Sequence, residues 1–194
     1  MRQMLRFGFI LGLICIVAVG LLAGINTLTE PKIVARKEAE IKATLLELFP
    51  EGVKFKPVEL NQETIYKVYD KDNNFLGIVF KAEGRGYSSK IETMAGMLKS
   101  GEICAIKILS QNETPGLGSR IAEVEEENTI WDVLRGRKKE KTKKPWFQEQ
   151  FKNKRIDQLK DIQAITGATI SSKAVIDSVN KKAQELKKII ENGR

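Results

Sequence analysis

The sequence predicts an α+β domain carried behind a single membrane-spanning helix. Three features predict it: an uncharged apolar run near the N-terminus, alternating apolar segments through the middle, and an amphipathic helical pattern at the end. The 194 residues suffice for one domain plus an accessory segment. The expected organisation is a membrane anchor over 1–28, spanning at about 7–25, a stalk or packing helix over 29–50, and a folded domain over 51–194.

The anchor rests on Phe7 to Ile25, which carries no charged residue. As a helix it is about 28 Å long at 1.5 Å per residue, the thickness of a bilayer core. It exceeds a usual signal-peptide core, and Leu22-Ala23-Gly24-Ile25-Asn26 is a poor small-residue cleavage site. Ile14 before Cys15 does not suit a lipidation signal. An uncleaved span follows. Arg2 and Arg6 flank one side; Lys32, Arg36 and Lys37, diluted by Glu30, Glu38 and Glu40, flank the other. The positive-inside rule therefore favours a cytoplasmic N-terminus and an outward C-terminal domain.

From Pro31, Ile33, Val34, Ile41, Leu45 and Leu48 recur at helical spacing until Pro50. The period then changes to that of strands. Thr64 to Tyr69 and Phe75 to Ala82 flank the turn Asp70-Lys71-Asp72-Asn73-Asn74, a hairpin signature. Glu92 to Leu98 and Ile103 to Leu109 form a second pair around Lys99-Ser100-Gly101. Ile121 to Leu134 and Trp146 to Phe151 read as helices, the first with Glu123, Glu125, Glu126 and Glu127 on an acidic face. The last helix, from Ile170 to about Ile190, sets Ala174, Val175, Val179, Ala183, Leu186 and Ile190 on one face.

Composition excludes several chemistries. There is no His, which removes the commonest metal ligand and general base. Two cysteines, one within the apolar run, supply neither a ligand cluster nor a disulfide scaffold, so no metal site is expected. The net charge of +8 is concentrated in Arg135, Arg137, Lys138, Lys139, Lys141, Lys143 and Lys144, with Glu140 the one acidic residue of that stretch. That stretch lacks regular apolar spacing and interleaved aromatics, so it reads as a solvated loop, with no nucleic-acid partner. Docking against a partner protein is the role open to it and to the acidic face.

Three segments have the wrong composition for packing. Gly84-Arg85-Gly86-Tyr87 and Asn112-Glu113-Thr114-Pro115-Gly116-Leu117-Gly118 are turn-like, yet Leu117 between two glycines suits backbone lying against a flat ligand. Thr166-Gly167-Ala168-Thr169 enters the last helix, where a hydroxyl is ordinarily a cap. A helix N-terminus also favours a phosphate. Together the three make a cradle for a planar phosphorylated ligand.

In this order, behind one anchor, these motifs resemble the FMN-binding domain of the G subunit of the Rnf complex. A relative is the C subunit of the sodium-translocating NADH:quinone oxidoreductase. The motif-bearing part runs from about Gly77 to Val179. The resemblance implies an extracytoplasmic FMN-binding domain with an antiparallel sheet and flanking helices, on the outer face of the bacterial cytoplasmic membrane. It implies FMN esterified through its phosphate to Thr169, installed by a separate flavin transferase with FAD as donor. It sets Tyr87 and Leu117 near the flavin and makes Glu113 and Thr114 loop hydrogen-bonding groups. Gly86, Gly116, Gly118, Thr166, Gly167 and Ala168 complete the cofactor-binding set. No catalytic residue is implied. The chain would carry electrons among other Rnf subunits, between ferredoxin and NAD, while sodium ions or protons are moved. Gln163 stands where the family motif commonly has Asp, and Thr166 where Ser is commoner. The alternatives are the C subunit of the quinone reductase, or an anchored module holding a noncovalent anionic ligand.

Overall fold

A computed structural model describes residues 2–60, 63–123 and 145–192. The order is α1 (Arg2–Leu48), β1 (Lys54–Leu60), β2 (Glu63–Tyr69), β3 (Phe75–Arg85), β4 (Lys90–Leu98) and β5 (Glu102–Ser110). A 3-10 turn (Gly118–Ile121), the short α2 (Trp146–Glu149), β6 (Lys154–Arg155), a second 3-10 segment (Ile156–Asp161) and α3 (Thr169–Asn192) follow. The chain divides into two units, Met1–Ala43 and Thr44–Arg194.

The first unit is helix throughout its described length. Phe7 to Ile25 and the pattern after Pro31 belong to one continuous helix, with Pro31 inside it. The proline removes one backbone hydrogen bond without ending the helix. Apolar side chains such as Phe9, Leu22 and Leu28 stand exposed, and the helix is long and apolar enough to cross a membrane. Two of its hydroxyls are satisfied internally: Thr27 Oγ1 donates to the Ala23 carbonyl at 2.8 Å and Thr29 Oγ1 to the Ile25 carbonyl at 2.9 Å. Such back-bonding suits an apolar surrounding, where an unpaired hydroxyl is costly.

The second unit is α+β, as the sequence predicts. Its sheet is antiparallel, in the order β1-β2-β3-β4-β5-β6. Hairpin succession explains the order of β1 to β5, because each of the first four strands is followed within a few residues by the next, whereas β6 joins the edge from far along the chain. Asp70 caps the β2–β3 turn: its carboxylate accepts the Asn74 amide N–H at 2.8 Å. Strand β1 is a finding beyond the sequence reading. Phe55, Val58 and Leu60 are only half-buried, and Pro57 and the lysines interrupt the alternation, as befits an edge strand. The two-residue β6 was likewise not expected.

Helix α3 covers one face of the sheet. Val175, Val179, Ala183 and Leu186 are buried against a core containing Ile78, Phe80, Ile91, Ala95 and Met97. Ile121, Phe147, Phe151 and Leu159 close the same core. Ala174, expected on the buried face, is only partly buried. At the opening of this unit Leu45, Leu48 and Phe49 are buried, and the Phe49 ring lies against Gly96 of β4. Lys107 pairs with Glu47 at 2.6 Å, and Cys104 Sγ meets the Leu48 carbonyl at 3.4 Å. The last turn of α1 thus packs within the second unit. Of the expected helix from Ile121 to Leu134, only a 3-10 turn ending at Ile121 is described. Its acidic face beyond Glu123 and the basic stretch from Arg135 to Lys144 lie outside the described residues.

Candidate functional site

At one end of the sheet the β3–β4 turn, the loop leaving β5 and the start of α3 meet around a cavity of about 380 Å3. Tyr87, Thr114, Leu117 and Gly118 line it from the loops, and Gly167, Ala168, Thr169, Ile170 and Ser171 from the helix start. Glu113 forms the wall between them. The volume lies within the roughly 300–1,000 Å3 usual for small-molecule sites.

Glu113 organises this convergence. Only 6% of it is exposed. Its Oε1 accepts the N–H of Ser88 at 3.1 Å, the N–H of Ser89 at 2.9 Å and the Ser89 hydroxyl at 3.2 Å. Its Oε2 accepts the Tyr87 N–H at 3.1 Å and the Ser171 hydroxyl at 2.6 Å. One carboxylate therefore ties three separate segments. Burial pushes its pKa up, but the Ser171 hydroxyl and the backbone N–H groups of Ser89, Ser88 and Tyr87 outweigh burial and hold it below the usual carboxylate value. With its lone pairs committed to protein donors, Glu113 builds the wall and has little capacity left for a ligand.

The glycines are placed by close approach and by backbone angle. A Cβ on Gly86 would stand 2.5 Å from Glu113 Oε1, and one on Gly118 2.7 Å from both Glu113 Oε2 and Ser171 Oγ. Gly116 and Gly167 adopt φ of +72° and +82°, which a side chain would strain. Thr114 turns the chain through its carbonyl, which accepts the Leu117 N–H at 3.1 Å and the Ser119 N–H at 3.3 Å. Leu117 then projects over Gly167, 50% exposed, while Tyr87 is 74% and Ile170 55% exposed. Large apolar side chains held open around a cleft are the mark of a binding surface.

The helix start is unusual. Helix α3 begins at Thr169, and the Ala168 carbonyl accepts the first helical bond, from the Ser172 N–H at 2.9 Å. Ala168 thus holds the capping position, which corrects the expectation that Thr169 is the cap: Thr169 is the first helical residue, and its side chain is exposed. Alanine has no capping side chain, and among the described residues none takes the N–H groups of Thr169, Ile170 and Ser171. The two serines that follow serve neighbouring segments. Ser172 Oγ accepts the Ile165 N–H at 3.1 Å, and Ser171 reaches Glu113.

Of the expected residues, Tyr87, Glu113, Thr114, Leu117, Gly118, Gly167, Ala168 and Thr169 line one cavity. Gly86 lies behind it against Glu113, Gly116 in the turn below Leu117, and Thr166 is exposed beside it without lining it. Gln163 is also exposed, and its backbone is held on both sides by the Gln150 amide, at 3.0 and 3.1 Å. Sequence reasoning missed Ile170, Ser171, Ser88 and Ser89 as parts of the site. Ser171 had a usable signal: it precedes Val175 and Val179 on the buried stripe of α3, where a hydroxyl needs a partner.

Fold and site define a class: a membrane-length helix followed by a small α+β domain with an open cleft at an uncapped helix start. Within that class, residues 86–184 match the FMN-binding domain family and residues 1–48 match the RnfG N-terminal region. The G subunit of the proton-translocating ferredoxin:NAD(+) oxidoreductase complex of Clostridium ljungdahlii is 31% identical, over 89% of this chain and 85% of its own length. The G subunit of the ion-translocating oxidoreductase complex of Shewanella piezotolerans is 28% identical, over 92% of this chain and 87% of its own. The crystal structure of Shewanella oneidensis NqrC overlaps with a TM-score of 0.45 at 16% identity, covering 69% of this chain and 66% of that one. The chain belongs to the RnfG family, the G subunits of the ion-translocating Rnf oxidoreductase complexes.

Proposed function

We propose that this protein is an electron-carrying subunit of an Rnf complex, with FMN joined covalently to Thr169. The observation that carries the proposal is the uncapped start of α3. Three N–H groups and the positive end of the helix dipole face a cleft beside an exposed threonine hydroxyl. The residues present fit the group: a phosphate finds donors at the helix start, and a planar ring finds Leu117, Tyr87 and Ile170. FMN supplies one- or two-electron carriage when bound. In the attachment step the Thr169 Oγ–phosphorus bond forms, the bond from that phosphorus to the AMP half of FAD breaks, and the hydroxyl proton leaves. No oxidation state changes. A flavin transferase is the partner that this step requires.

Helix α1 anchors the chain in the cytoplasmic membrane, with Arg2 and Arg6 inside and the domain outside. A covalent bond suits that location, where a lost flavin is not readily replaced. Other subunits of the complex supply and accept the electrons.

Denaturing electrophoresis of the full chain co-expressed with a flavin transferase tests the attachment. A fluorescent band that Thr169→Ala removes is expected, with a matching mass difference on the peptide carrying Thr169. Flavin that leaves the wild-type protein on denaturation would instead establish noncovalent binding.

A further inference from the structure

We infer that Ser171 is a positioning residue: its hydroxyl fixes the phosphate-facing start of α3 against the loops that face the flavin ring. The inference rests on the attachment reading above and adds a role for a residue two positions beyond Thr169. Ser171 is 2% exposed and donates to Glu113 Oε2 at 2.6 Å. The same Oε2 accepts the Tyr87 N–H, and Oε1 holds the N–H groups of Ser88 and Ser89. A continuous polar path therefore runs from the first turn of α3, through one buried carboxylate, to the turn that presents Tyr87.

Packing alone does not account for a serine here. A small buried position in a helix is ordinarily filled by alanine, the best helix former, and serine close to a helix start ordinarily serves a capping role. Ser171 instead turns inward to a charged acceptor, and Gly118 leaves the space in which the two meet, since a Cβ there would stand 2.7 Å from Ser171 Oγ. A hydrogen bond to a charged group holds two segments far more firmly than van der Waals contact of one small side chain. With the hydroxyl gone, the Thr169 end and the Tyr87 end of the cleft are free to shift relative to each other. The phosphate would remain attached while the ring lost its fixed orientation.

The test compares the full chain with Ser171→Ala and Ser171→Thr, each co-expressed with a flavin transferase. Visible circular dichroism reads the orientation of the flavin, and hydrogen exchange reads the amides of Tyr87, Ser88 and Ser89 without reference to flavin. S171A is expected to keep the fluorescent band, to lose most of the visible dichroism, and to exchange those amides about tenfold faster, the equivalent of one such hydrogen bond. S171T, which keeps the hydroxyl, is expected to restore both. Wild-type dichroism and exchange in S171A would overturn the inference. So would loss of the band in S171A alone, or a folded S171T that behaves like S171A. If the wild-type chain itself shows no covalent band, the attachment reading fails separately. The same dichroism and exchange comparisons, made with added FMN, then still decide the role of Ser171.

Discussion

Glu113→Gln changes one oxygen to an amide and removes one buried charge. The carboxylate accepts three backbone N–H groups and two hydroxyls. Three of those donors converge on Oε1, so the glutamine would keep its oxygen there and place its NH2 where Oε2 stood. The Ser171 hydroxyl can rotate to accept from that NH2. The Tyr87 N–H cannot, and is left facing another donor. One stranded backbone donor and the loss of charge assistance on the remaining bonds cost about 2–4 kcal/mol together. For a domain of this size that lowers the melting temperature by about 6–12 °C. The pH dependence supplies a second signature. The folded-state pKa of Glu113 lies below its usual value. The carboxylate therefore contributes its full stability above the ordinary glutamate range, and loses it as pH falls through that range to the lowered folded value. The gap between wild type and E113Q is thus widest near neutrality and closes on acidification. Thermal unfolding of the full chain in detergent, followed by near-UV circular dichroism across pH, measures both. A gap under about 0.5 kcal/mol at neutral pH, or one that widens in acid, would refute the reasoning.

Two further substitutions probe the neighbours of that carboxylate. Ala168→Ser supplies the missing cap to α3 and is expected to raise stability by about 1 kcal/mol while reducing covalent flavin, measured as melting temperature against in-gel fluorescence. Gly118→Ala introduces a Cβ 2.7 Å from Glu113 Cβ, Glu113 Oε2 and Ser171 Oγ. It is expected to cost about 1–3 kcal/mol as an overpacking change, read by thermal unfolding, and to lower the visible dichroism of bound flavin.

The elements legible in the sequence are those whose period is undisturbed. Phe75 to Ala82 and Glu92 to Leu98 alternate or run apolar because both strands are central, and their ends needed extension by at most a few residues. Strand β1 was hidden because an edge strand that is only half-buried has little reason to alternate, and Pro57 there breaks the pattern without breaking the pairing. The single helix through Pro31 was divided because proline ordinarily marks a boundary. In a helix of this length one missing bond is a small fraction of the whole. At the site, glycines and the T-G-A-T turn were visible because they violate packing expectations. The roles of Ser88, Ser89 and Ser171 were not. Their importance lies in pointing at one carboxylate from segments distant in sequence, which no local pattern encodes.

The start of α3 shows how such a site coexists with a stable fold. An alanine at the capping position forgoes about 1 kcal/mol of helix stability, and it leaves donors facing open space. That cost is offset within the first turn of the helix. Ser172 secures the incoming loop through the Ile165 N–H, and Ser171 secures the helix to Glu113. The stabilising hydroxyls stand inside the first turn of the helix rather than at its end, and from there they hold that end to the neighbouring segments. A local sequence rule is broken at Ala168, as functional sites commonly break one, and the compensation is found in the same turn of helix. Thr169 is exposed beside those amides and the Glu113 wall, and its hydroxyl is the one that the proposed attachment would use.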